Sequence, residues 1–108
     1  MTFLFNTSFQ VHNDAEAEFK EWAKDIYVPA VKNCGLFTSP VVLQVLTTAS
    51  EDQCGNTYCI QMFSSEPQKA MKWLDEEASK LRGIITKKHG VEKVLHFTSA
   101  MLVVEDQN

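Results

Sequence analysis

Asn6, Gln61, His96 and Thr98 are the side chains whose types and placement fit chemistry best in this chain. A histidine titrates near neutrality, so His96 suits a general base or a group that orients a polar ligand. Asn6 and Gln61 each offer a donor and an acceptor, and Thr98 offers a hydroxyl. The four form a candidate ligand-binding set. His12, at a strand end, and His89, at a helix end, are expected at the surface. No Ser–His–Asp or His–Cys spacing can be read, although such groups converge from distant positions in a fold. Asp and Glu crowd the expected helices and one loop, which argues against paired-carboxylate catalysis on a sheet. The cysteines Cys34, Cys54 and Cys59 are odd in number and form no C-x-x-C. That pattern suggests neither a disulfide framework nor a zinc site. Cys54 and Cys59 could approach across a hairpin, but reduced thiols are expected, with Cys59 a small hydrophobe. Neither a metal nor a cofactor is expected.

These candidates need strands to hold them. In residues 3–12, Phe3, Phe5, Thr7, Phe9 and Val11 alternate with Leu4, Asn6, Ser8, Gln10 and His12, which predicts a strand with one oily and one mixed face. Asn13 or Asp14 caps a first helix, with Glu16 completing a box-like start. Its apolar stripe is Phe19, Trp22, Ala23, Ile26 and Ala30. Pro29 should kink or end it near Tyr27 or Val28, and Gly35 stops it. A second strand runs from about Leu36 to Thr48. Pro40 places it at a sheet edge, at a bulge or at the strand start, and Val41 to Leu46 is too uniformly apolar to assign faces. Residues 50–56 read as a polar hairpin loop. Tyr58, Ile60 and Met62 share one face of a third strand, Thr57–Phe63. A second helix opens at Ser65, carries Ala70, Trp73, Leu74, Ala78, Leu81 and Ile85 on its stripe, and ends at Gly90. In a fourth strand, Val94–Val104, Leu95, Phe97, Ser99, Met101 and Val103 alternate with Val94, His96, Thr98, Ala100 and Leu102.

The chain has 108 residues, enough for a single domain over 1–108, with a tail from about 105 to 108 that frays. A net charge of −4 with dispersed basic residues argues against a nucleic-acid partner. The start lacks a basic region, and no apolar run reaches the roughly 20 residues that span a bilayer. A cytoplasmic protein without a membrane partner is therefore expected.

Strand, helix, strand, strand, helix, strand is the order of a ferredoxin-like α+β sandwich, a four-stranded antiparallel sheet with two helices on one face. The faces rich in Phe and Ile belong under the helices. The other face is expected to carry Leu4, Asn6, Ser8, Cys59, Gln61, Phe63, His96, Thr98 and Leu102. Half-apolar, it should pair with a second copy, giving a homodimer. Asn6, Gln61, His96 and Thr98 would then either line a small-molecule site between the sheets or hold the two sheets in register.

Gly35-Leu36-Phe37-Thr38-Ser39, Thr57-Tyr58-Cys59-Ile60-Gln61-Met62-Phe63, Leu81-Arg82 and His96-Phe97-Thr98-Ser99 resemble segments of short bacterial proteins, domain-of-unknown-function family 4286. The resemblance covers nearly the full chain and implies a dimeric α/β barrel, with two sheets face to face and helices outside. It carries no activity to transfer. Asn6 and Trp73 look similar to positions in haem-degrading barrels, but those place an iron-ligating histidine near what is Gly83 here. The leading expectation is a homodimeric, non-catalytic binding or interaction module with a sheet-lined cavity. The runner-up is a cofactor-independent oxygenase or isomerase acting on a small aromatic or enolisable molecule. A third possibility is a purely structural subunit.

Overall fold

Period-two alternation at the start of the chain builds β1 (Phe3–His12), and a 3-10 turn at Asn13–Ala15 leads out of it. The structure is a computed structural model that describes residues 1–46, 55–90 and 92–105. The first helical segment then runs as α1 (Glu16–Trp22), a π turn (Ala23–Tyr27) and α2 (Val28–Asn33). β2 (Thr38–Gln44), β3 (Gly55–Ser64), α3 (Pro67–His89) and β4 (Val94–Leu102) follow. Most of the expected hairpin loop lies outside the described residues, but Gly55 and Asn56 belong to β3. Cys54 also lies outside them. The start of α3 differs in detail: the Ser64 hydroxyl, not Ser65, accepts the Glu66 N–H, at 3.0 Å.

The sheet is antiparallel in the order β2-β3-β1-β4, and the helices lie on one face of it. This is the ferredoxin-like α+β arrangement. β2 is an edge strand, and its register with β3 shifts between Thr38 and Val41, where Ser39 takes φ 52° just before Pro40. An edge with a bulge is where a proline costs the ladder least.

Pro29 does not end the first helix. The helix absorbs it by widening one turn, in which the Val28 N–H donates to the Ala23 carbonyl five residues back. An extra residue in a turn rotates everything beyond it by about 100°. Tyr27 and Val31 therefore point into the core, where both are fully buried, while Ile26, expected on the stripe, is 37% exposed.

The core lies between the helices and the central strands. Phe5, Phe9 and Val11 of β1 pack with Tyr58, Ile60 and Met62 of β3 beneath Phe19, Trp22, Tyr27 and Leu74. The Phe9 ring meets Phe19 at 5.0 Å and Trp22 at 5.8 Å. The Trp22 indole donates to the Leu81 carbonyl at 2.9 Å, tying the first helix to α3. Leu74 is buried, and Trp73 is half-buried against Phe37. No helix among the described residues is long and apolar enough to cross a membrane.

Candidate functional site

Residues opposite one another in an antiparallel ladder point to the same face. Asn6 lies opposite Gln61 on one side and Ser99 on the other. Thr7 lies opposite Thr98, and Phe9 opposite His96. The expected set is therefore divided. Asn6 and Gln61 are neighbours on the open face, whereas His96 and Thr98 project to the helix side. The four do not converge.

The correction comes from β4. Both of its alternating sets contain large apolar residues, so its pattern alone does not choose a face. Val94 chooses it. Buried opposite Val11, it puts His96, Thr98, Ala100 and Leu102 on the helix side and Leu95, Phe97, Ser99 and Met101 on the open face. A shift of one residue would exchange the two sets.

The open face has a polar centre and an apolar rim. Asn6, Ser8, Cys59, Gln61 and Ser99 occupy the centre. The Asn6 amide donates to the Ser8 hydroxyl at 3.1 Å, and Ser8 Oγ lies 3.6 Å from Cys59 Sγ. Asn6 Oδ1 is buried without a partner. Around them, Val41, Leu43, Leu95, Phe97 and Met101 are exposed, Phe97 to 60%. Of the positions that β1 to β4 present on this face none is Asp, Glu, Lys or Arg, and the one histidine is His12, at the end of β1 opposite Gly55.

A second polar group lies on the helix side. The Thr7 and Thr98 hydroxyls are 2.9 Å apart. Tyr27 is fully buried, and its phenolic oxygen faces the Arg82 guanidinium and the Thr7 hydroxyl without close hydrogen-bond geometry to either. Arg82 runs back along α3, and its Nη2 donates to the Leu74 carbonyl at 3.2 Å. Its Nε and Nη1 are buried and unpartnered. Burial pushes the Tyr27 phenol up, and the Arg82 guanidinium beside it pulls the other way. Burial, then the same guanidinium, holds His96 below the usual histidine range and so favours its neutral form. Tyr27 and Arg82 were not among the expected site residues. Tyr27 turns inward only because of the π turn; Leu81-Arg82 is one of the segments that carry the family resemblance.

Among the described residues, no three His, Cys, Asp or Glu side chains gather as a metal ion would need. His12 and Asp14 interact at a strand end, and His89 lies beside Glu18 at the end of α3.

A model of the domain-of-unknown-function family DUF4286 matches residues 2–104. The chain belongs to the DUF4286 family. No curated protein matches it in sequence. Among solved structures, it is similar to a dimeric ferredoxin-like protein from an uncultured marine organism, at 14% identity and a TM-score of 0.69, covering 98% of each chain. A second dimeric ferredoxin-like protein from an uncultured marine organism matches at 14% identity and a TM-score of 0.63, over 100% of this chain and 93% of that one. An ethyl tert-butyl ether d (ethd) family protein from Bacillus halodurans matches at 12% identity and a TM-score of 0.60, over 92% and 97%. At these identities the likeness shows the fold.

Proposed function

We propose that this DUF4286 chain works as a homodimeric binding module whose two sheets face each other. The observation that carries this reading is the open face: apolar at its rim, polar at its centre and without Asp, Glu, Lys or Arg, its one histidine, His12, standing at the end of β1. A chain of net charge −4 repels its copies unless the surfaces that meet are neutral. Amides and hydroxyls carry donors and acceptors together, so this face can complement itself across a two-fold axis. The fold shared with dimeric ferredoxin-like proteins supports the same arrangement. Asn6 and Gln61 then lie between the sheets, either gripping the second copy or holding a small polar ligand there.

Association should bury on the order of 1,500 Å² in total. Light scattering at micromolar concentration should report twice the chain mass, and Phe97→Asp should report one. A monomeric parent chain, or a Phe97→Asp variant that remains fully dimeric, overturns the reading.

A further inference from the structure

β2 ends the sheet on one side, and its outer edge has no strand beside it among the described residues. In an antiparallel ladder, alternate residues direct their backbone groups to the neighbouring strand. The Val45 N–H donates to the Thr57 carbonyl at 2.8 Å, and Leu43 and Val41 share its phase, opposite Cys59 and Gln61. Val42 and Gln44 therefore turn their N–H and C=O groups outward, where no backbone group among the described residues meets them. Edges of this kind are ordinarily blunted by charge, proline or a bulge. Here Pro40 and the register shift blunt one end only. From Val41 to Leu46 there is neither a charge nor a proline, and Val41, Val42 and Leu43 are each 40% exposed or more.

A groove of about 240 Å³ runs along the helix side of this edge. Val42 and Gln44 form one wall, since they lie opposite Ile60 and Tyr58 and so face the helices. The buried Ala23 and Tyr58 form the floor, and Lys20 and Lys24 of the first helical segment form the other wall. Both lysines are exposed, and neither forms an ion pair among the described residues. Lys20 lies over the Tyr58 ring, 5.8 Å from its centroid. The carboxylate beside Tyr58, that of Glu16, already accepts from the Tyr58 hydroxyl and the Asn56 amide. Outward main-chain groups, an apolar edge and two unpaired cations thus stand together.

We propose that the outer edge of β2 takes up an extended, acidic segment of a partner protein as an added strand. Main-chain hydrogen bonds to Val42 and Gln44 supply affinity, and alternate side chains supply specificity. The side chains of an added strand alternate between the two sides of the sheet. Acidic ones on the helix side meet Lys20 and Lys24, and apolar ones on the other side extend the row of Val41 and Leu43. A net charge of −4 repels an acidic peptide from the chain at large, so binding reports the local cations. The groove lies on the side of the sheet away from the open face, so the proposal stands apart from the sheet-to-sheet dimer.

An alternating peptide, acetyl-SVEVEVS-amide, is a suitable probe, with acetyl-SVKVKVS-amide as its cationic counterpart. Titration of the full chain with the acidic peptide, followed by amide NMR, should give saturable shifts centred on Val42 to Gln44 and on Lys20 and Lys24. At saturation, hydrogen exchange of the Val42 and Gln44 amides should slow by at least about tenfold. The cationic peptide should bind at least about tenfold more weakly, and so should the acidic peptide to a variant carrying both Lys20→Gln and Lys24→Gln. Amide spectra check that this variant remains folded. Phe97→Asp should bind the acidic peptide as the parent chain does, which separates this result from the fate of the dimer. Absence of saturable shifts overturns the proposal. So does equal binding of the cationic peptide, or undiminished binding by the lysine variant. Unchanged exchange at Val42 and Gln44 would mean contact through side chains alone and overturns it too. Exchange at these amides that slowed with chain concentration, without peptide, would give the edge to a second copy and would equally overturn it.

Discussion

The two faces of the sheet are incomplete in opposite ways. The helix-covered face is closed over β1 and β3 by a dense aromatic layer and open at its two edges, where Val42 of β2 and His96, Ala100 and Leu102 of β4 are exposed. The open face is uncovered by any helix, its rim is apolar and it carries no Asp, Glu, Lys or Arg. Uncovered neutral area at the centre of a sheet calls for a large, shape-matched surface, whereas the narrow margins beside the helices do not. A single strand, β4, contributes to both: Phe97 and Met101 to one face, His96 and Thr98 to the other.

The largest expected difference between the faces is energetic. Phe9 is fully buried among Phe19, Trp22 and Tyr27. Phe9→Ala should cost about 3–5 kcal/mol through lost transfer energy and the cavity left behind. Phe97→Ala should change the stability of the isolated chain by less than about 0.5 kcal/mol and weaken association instead. Urea unfolding at several protein concentrations separates the two effects. Similar losses at the lowest concentration would erase the distinction between core and interface.

A smaller effect tests whether the two properties are separable at the sheet's end. Gly55 lies opposite His12, and a Cβ there would stand 1.9 Å from the Val11 carbonyl oxygen. Backbone cannot yield as a flexible side chain does, so Gly55→Ala should destabilise by roughly 1–3 kcal/mol. Phe97 and Met101 lie further along the sheet, so the dissociation constant of the folded dimer should change little. Sedimentation beside thermal melting checks this.

The fold was legible because it rests on two simple periods, two for strands and about 3.6 for helices, interrupted by Pro and Gly. Two phases were not legible. The π turn shifts the stripe of the first helix by one residue, and nothing in the spacing of Phe19, Trp22 and Ile26 announces that Tyr27 takes the inner position. On β4 both sets are apolar enough for a core, so only the pairing of Val94 with Val11 decides. The candidate site was accordingly half legible. Asn6 and Gln61 were rightly placed together on the open face, because β1 and β3 each have one clearly oily side. His96 and Thr98 were assigned to the same face, and Tyr27 and Arg82 were missed, because side-chain direction at those positions is set by tertiary packing.

The smallest effect separates the faces by pH. Glu16 holds the helix layer to β3: its carboxylate accepts from the Tyr58 hydroxyl at 2.8 Å and from the Asn56 amide. Those hydrogen bonds hold Glu16 below its usual range, with Asn56 the stronger influence. Tyr58 is pushed up to about 12 by burial and then by Glu16. A depressed carboxylate contributes stability above its unfolded value, near 4.5, and loses it as pH falls through the folded value. A raised phenol contributes fully below its unfolded value of 10 and loses that contribution as pH rises through about 12. Unfolding stability should therefore be highest between about 6.5 and 10 and fall on both sides, the first loss on the acid side coming from His96, whose depressed value lets the unfolded chain take up its proton first. Glu16→Gln should shrink the acid limb without abolishing it, since Lys93 lowers Asp14 and Lys88 lowers Glu18 as well. Those exposed pairs weaken in salt, so the Glu16 contribution should stand out at high ionic strength. Tyr58→Phe should flatten the alkaline limb. The open face presents no Asp, Glu, Lys or Arg and one histidine, His12 at the end of β1, so in His12→Gln the dimer dissociation constant should stay level from about pH 5 to 8. A dissociation constant that still changed steeply in His12→Gln would place another titrating group between the copies, and the sheet-to-sheet dimer would be wrong.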